Sequence, residues 1–163
     1  MVNGKNDGRQ EYAGSPNPAG SAWSAGTLAA AAAAYYGVQD MNCSEALLRA
    51  ANDAFQLDLD EQGLRLAAPF GGGMGIESVC GALTGALMAL ANLYVEQRAH
   101  ESDRMKALSA EFLRGFEKAH GSIICRELKD RYHTDAYGCR EVVGRAAAFL
   151  ETFLSSHEKE RLR

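Results

Sequence analysis

The sequence predicts an all-α fold, a single-domain bundle of about six to seven helices. Three observations lead there. No stretch shows the apolar–polar alternation of a half-buried strand, whereas apolar residues recur at three- and four-residue spacing along several segments. Helix-start and helix-stop residues punctuate those segments. The chain has 163 residues, 47% of them hydrophobic, which suits one globular core and argues against a second domain.

Residues 1–26 are rich in Gly, Ser, Asn and Pro. They read as a flexible leader or loosely docked arm, leaving 27–163 as the helical domain. Leu28 to Tyr36 is an alanine-dense apolar run. The segment before it sets Lys5 and Arg9 against Asp7 and Glu11, so it lacks the positive charge of a signal peptide. The run is therefore expected to be the first helix, stopped near Gly37. Asn42 opens the second, with Glu45 completing a capping-box pattern and Ala46, Leu47, Ala50, Ala51, Ala54 and Phe55 as the apolar face. Cys43 lies in its first turn. Asp60 is expected to cap a short third helix through Ala68, which Pro69 ends.

The organising stretch is PFGGGMGIESVCGALTGALMALANL, from Pro69 to Leu93. A glycine-dense loop runs into a central helix, expected from about Glu77 to Arg98 with Cys80 in its first turn. Gly81, Gly85 and Ala89, four apart, form a flat stripe that another helix can approach closely. Ser102 or Asp103 starts a fifth helix with Met105, Leu108, Phe112, Leu113 and Phe116 facing the core, and Gly121 is its C-terminal signal. Ser122 is the expected N-cap of a short sixth helix with Cys125 in its first turn. A loop from Asp130 to Gly138 carries Tyr132, His133 and Tyr137. Cys139 opens the last helix, whose apolar face is Val142, Val143, Ala146, Phe149, Leu150, Phe153 and Leu154.

Several function classes fall away. Net charge is −4 and no basic block exists, which argues against nucleic acid. Asn92, Glu96 and Arg98 end the best apolar run, so no membrane span is expected. A reducing cytoplasm is the expected compartment, because unpaired thiols persist there. No C-x-x-C or C-x-x-C-H occurs, which excludes zinc-finger, thioredoxin-like and cytochrome-type haem motifs. No Lys-Ser or Lys-Thr follows GGGMG, so it reads as a turn and not a phosphate loop. No Ser-His-Asp or paired-carboxylate arrangement can be placed.

What remains is four cysteines, Cys43, Cys80, Cys125 and Cys139, each expected in the first turn of a helix. The positive end of a helix dipole eases thiol ionisation, making Cys80 a candidate reactive thiolate or metal ligand. Buried packing is the plainer use of a free cysteine. His133 could donate to a sulfur or carry a proton, or be a solvated loop residue. Met74, Met88 and Met105 read as core filler, and Tyr35, Tyr36, Tyr132 and Tyr137 as residues that flank the site or pack.

At these residues the chain resembles the redox-active protein family named for the pattern C…GCAxxG…C…C. Cys80-Gly81-Ala82-Leu83-Thr84-Gly85 matches its central signature. NCSEALL around Cys43, FGGGM before Cys80, GALMAL after it, the segment Gly121 to Leu128 and the final Cys139 extend the match to roughly residues 27–155. One departure is the approach Glu77-Ser78-Val79, which carries a carboxylate and no glycine. The resemblance implies a helical four-cysteine redox site. A related domain in split-Soret cytochromes accompanies haems with an iron–sulfur centre, so a cluster is plausible here.

Three chemistries fit. Cys43, Cys80, Cys125 and Cys139 could ligate a 2Fe–2S cluster for one-electron transfer. The same four could run thiol–disulfide exchange without metal, or hold a redox-silent structural zinc. A helical interaction module whose cysteines only pack is the reading without a site. Small residues beside Cys80 leave room for a cluster or an incoming partner and favour the first two; Gly72, Gly73, Gly81 and Gly85 are the expected site lining. A redox protein of this size needs a redox partner, which the sequence does not identify. The small-residue stripe and the last helix could support a homodimer, though packing within the chain explains both equally.

Overall fold

Seven α-helices make up the computed structural model, which describes residues 27–101 and 103–161. The expected leader 1–26 and the alternative helix start at Ser102 lie outside the described residues. Among the described residues there is no strand, only two isolated antiparallel bridges.

Helix α1 spans Thr27–Val38. It ends one residue past Gly37, near where it was expected to stop, and the chain turns at Asp40, whose φ is 55°. Helix α2, Cys43–Phe55, begins with the expected capping box: the Asn42 side chain accepts from the Ser44 and Glu45 amides, and the Asn42 amide donates to Glu45. Helix α3 is shorter than expected, Glu61–Arg65, with Asp60 accepting from Gly63. Pro69 does not end it but sits inside a separate 3₁₀ turn, Ala68–Phe70. A first turn has no use for the missing proline N–H, so Pro69 helps start that turn.

The central helix α4 is Gly81–Tyr94, shorter at both ends than the apolar pattern suggested. The glycine-dense loop before it forms a wide turn, Gly73–Glu77, in which Met74 and Gly75 adopt φ of 61° and 74°. Left-handed backbone at Met74 and again at Glu77 breaks helical continuation before Cys80. Met74 is consequently 42% exposed, not core filler. At the other end Val95 is extended. Helices α5 (Asp103–His120), α6 (Cys125–Tyr132) and α7 (Arg140–Arg161) complete the fold. Gly121 closes α5 with φ 85°. Ile124, and not Ser122, is the N-cap of α6; the Ser122 hydroxyl instead accepts from the Ile124 amide at 2.9 Å.

Helix α4 is apolar nearly all round and occupies the centre, as such helices must: Ala82, Leu83, Ala86, Ala89 and Leu90 are fully buried. The Gly81–Gly85–Ala89 stripe receives α2, because a Cβ at Gly85 would lie 2.5 Å from the Ser44 carbonyl oxygen. The stripe is thus filled from within the chain. Helix α1 packs mainly on α7 and α2. A phenylalanine cluster joins α5 to α7, with Phe112 5.4 Å from both Phe149 and Phe153 and Phe116 edge-on to Phe149 at 5.7 Å. Burying a side chain like Phe112 or Phe116 contributes about 1.5–3 kcal/mol, and each edge-on ring pair adds about 0.5–1.5 kcal/mol. No helix among the described residues is long and apolar enough to cross a membrane.

Candidate four-cysteine site

Each cysteine is delivered by the start of a different helix. Cys43 is the first residue of α2 and Cys125 the first of α6. Cys80 and Cys139 directly precede α4 and α7. The starts of α4 and α6 are tied together by a device that no helical pattern reveals. Val79 and Ile124 form an antiparallel bridge; the Cys80 amide donates to the Ile123 carbonyl at 2.9 Å and the Cys125 amide to the Ser78 carbonyl at 2.6 Å. This bridge clamps the approach to Cys80 against the approach to Cys125.

All four cysteines line one cavity of about 560 Å³. They are free thiols; Cys43, Cys80 and Cys125 are buried and Cys139 is half-buried. Although they share this wall, no three His, Cys, Asp or Glu side chains among the described residues are gathered closely enough to form a metal-ligand set. The expected glycine lining divides. Gly72 lines the cavity. Gly73 and Gly81 back the cysteines: a Cβ at Gly73 would lie 2.8 Å from the Cys125 Cβ, and one at Gly81 would collide with the Cys43 sulfur. Gly85 lies away from the cavity, against Ser44.

Ionisation runs opposite to the sequence expectation. Burial pushes the Cys80 thiol up to about 12, reinforced by Cys43, and the hydrogen bonds it accepts from the Ala82 and Leu83 amides at the start of α4 offset only part of that. Burial likewise raises Cys125 to about 11 and lifts Cys139 above the ordinary thiol value. Desolvation penalises the thiolate more than a helix terminus stabilises it. Cys80, Cys125 and Cys139 are therefore protonated thiols at neutral pH. A bound cation reverses this by taking the place of the protons.

Around the sulfurs stand groups of mixed legibility. Tyr36, read as flanking or packing, sits at the site: its phenol oxygen accepts the Cys139 N–H at 3.0 Å. Burial raises the Tyr36 pKa. His133 lines the cavity but is exposed. Two residues that the sequence did not single out are Lys129 and Arg140, and Glu77, noted there only as a departure, joins them. Lys129 lines the cavity and its ammonium pairs with Glu77 at 2.7 Å, which holds the Glu77 carboxyl below its usual range and raises Lys129. Arg126 adds a second pair to Glu77 at 3.2 Å. The carboxylate at Glu77 that departs from the family pattern thus tethers the glycine turn to α6. Lys129 follows Cys125 by four residues, so helical spacing already put it on the same face.

Comparison with curated proteins and with solved structures finds no match. Residues 41–153, which include all four cysteines, match the family described as "Putative redox-active protein (C_GCAxxG_C_C)", and the chain belongs to that family.

Proposed function

We propose that Cys43, Cys80, Cys125 and Cys139 act as one redox site by holding an iron–sulfur cluster, most simply 2Fe–2S. The observation that supports this reading is the common cavity: four thiols from four helix starts line it, and four cysteine thiolates are the donor set such clusters take. Ligation would require the four side chains to close on the group from the cavity wall, since they are not gathered as a ligand set among the described residues; two further features support the reading. Glycine at 73 and 81 removes the Cβ atoms that would press on Cys125 and Cys43. Helix starts beside every sulfur bring amide hydrogens and partial positive charge toward the negative charge a ligated cluster carries. When bound, the cluster supplies one-electron transfer. Burial limits the solvent contact of Cys43, Cys80 and Cys125, and the Tyr36 phenol oxygen fixes the backbone at Cys139. A protein partner would deliver or collect the electron. A reducing compartment such as the cytoplasm would keep the thiols available.

One observation favours a second reading. The antiparallel Val79–Ile124 bridge ties Cys80 and Cys125, each the residue after a bridge partner, to one junction, where they sit diagonally across it. In thiol–disulfide exchange these two thiols would give up two electrons and two protons to a partner disulfide, which becomes two thiols.

Anaerobic purification followed by a visible absorption spectrum and iron, sulfide and zinc analysis separates the readings. Visible charge-transfer bands with matching iron and sulfide are expected. A colourless, iron-free protein that reversibly loses two thiols on oxidation would replace the cluster with the disulfide. Zinc alone, about one per chain, would make the site structural and overturn both.

A further inference from the structure

A cation stands beside the cysteines, and among the described residues no carboxylate pairs with it. Arg140, the first residue of α7, lines the four-cysteine cavity next to Cys139. Its Nε is buried and has no hydrogen-bond partner among the described residues. Asp40 also lines the cavity, yet no ion pair joins it to Arg140. Lys129, the other cation on the wall, is already matched by Glu77. The Arg140 guanidinium is nevertheless held in place. It lies 5.3 Å from the centre of the Tyr137 ring, and it presses on Gly37 so closely that a Cβ there would collide with it. A buried N–H without an acceptor is unfavourable, and a fixed guanidinium presents its donors as a planar fork that matches carboxylate and phosphate oxygens. The cavity volume lies within the range of small-molecule sites.

We propose that this cavity binds a small molecule through its oxyanion group, seated on Arg140 beside the cysteines. The ligand is a small carboxylate or a phosphate-type oxyanion. The inference deepens the redox reading by adding an oxyanion ligand to the same site, and rests on that reading for what the bound molecule would meet there. Arg140 anchors the oxyanion, and the cysteines form the neighbouring wall. Gly37 is a positioning residue, since its missing Cβ is what lets the guanidinium lie against α1.

The test uses the full chain purified anaerobically in low-chloride buffer, titrated separately with inorganic phosphate and with acetate by calorimetry. Saturable binding of at least one of them, about one per chain, is expected. Arg140→Gln should weaken it at least about tenfold. Gly37→Ala keeps the charge and suits a helix but displaces the flexible guanidinium, and should weaken binding to a similar degree. Arg145→Gln, which removes an exposed partner of Glu141 outside the cavity, should leave it unchanged. The arm that binds identifies the oxyanion as carboxylate-like or phosphate-like. Absence of saturable binding in both arms, or equal affinity in the wild type and the Arg140→Gln and Gly37→Ala variants, would overturn the proposal. The iron content and visible spectrum of the same preparations read the redox proposal separately, so either can fail without the other.

Discussion

Cys80 is where two effects of opposite sign meet. Amides at the start of α4 stabilise its thiolate, and burial destabilises it by more, leaving the thiol at about 12. Its position at a helix start was legible in the sequence because glycine, capping residues and apolar periodicity are local signals. Its ionisation was not, because desolvation depends on what α2 and α6 bring to the other side. The consequence for the metal-free, reduced protein has a definite sign. An unfolded cysteine loses its proton near pH 8.5, while folded Cys80 keeps it to about 12 and Cys125 to about 11. Above that unfolded value the unfolded chain binds fewer protons, so stability is fully present below it and falls as pH rises toward the folded values. Urea unfolding at pH 8 and pH 10.5 should show a drop that Cys80→Ala reduces. Equal pH dependence of the two proteins would show that the thiol is not desolvated. Gly85 makes a second residue-scale case. Alanine there meets backbone, the Ser44 carbonyl at 2.5 Å, and cannot be accommodated by a rotamer change. Gly85→Ala should cost about 1–3 kcal/mol through overpacking despite alanine's better helix propensity, as measured by denaturant midpoint.

Among the elements, the second helix was the most legible. Asn42 and Glu45 form the capping box that their spacing announced, and replacing Asn42 by Ala should cost about 0.5–2 kcal/mol. The expected loss is at the upper end, since Asn42 Nδ2 also donates to the Ala68 carbonyl at 2.9 Å. A loss under a few tenths in chemical denaturation would count against the cap's role. The approach to α4 was the least legible. The helix was expected from about Glu77, yet left-handed backbone at Glu77, after that at Met74 and Gly75, delays its start to Gly81. The bridge from Val79 to Ile124 joins two single residues 45 positions apart, too short for any period-2 pattern to register. Breaking the Glu77–Lys129 pair tests the same junction from its exposed side. Glu77→Gln should leave global stability nearly unchanged, because an exposed, solvent-screened pair contributes little. It should raise protease cleavage within 73–77, because the turn loses its tether to α6. Unchanged cleavage would show that the backbone bridge alone holds it.

At the scale of the whole molecule, an all-α core of mostly small and aliphatic residues places four helix starts around one cavity. The stripe on α4 serves that arrangement: α2 lies close because Gly81 and Gly85 lack side chains, and Cys43 rides at the end of α2 against Gly81. The phenylalanine cluster of α5 and α7 stabilises the fold at a distance from the cysteines, so site and scaffold can be perturbed separately. Phe112→Ala, at a fully buried position, is expected to lose about 3–5 kcal/mol. The cysteines are expected to behave as a unit. The most direct measurement is the iron and sulfide content of four anaerobically purified variants, Cys43→Ala, Cys80→Ala, Cys125→Ala and Cys139→Ala, beside the wild type, with helicity followed by circular dichroism. Matching iron and sulfide in the wild type, and loss of both in every variant while the helical signal persists, is the expected result. A wild type without iron, or variants that keep the full complement at any one of the four positions, would contradict a single four-cysteine site.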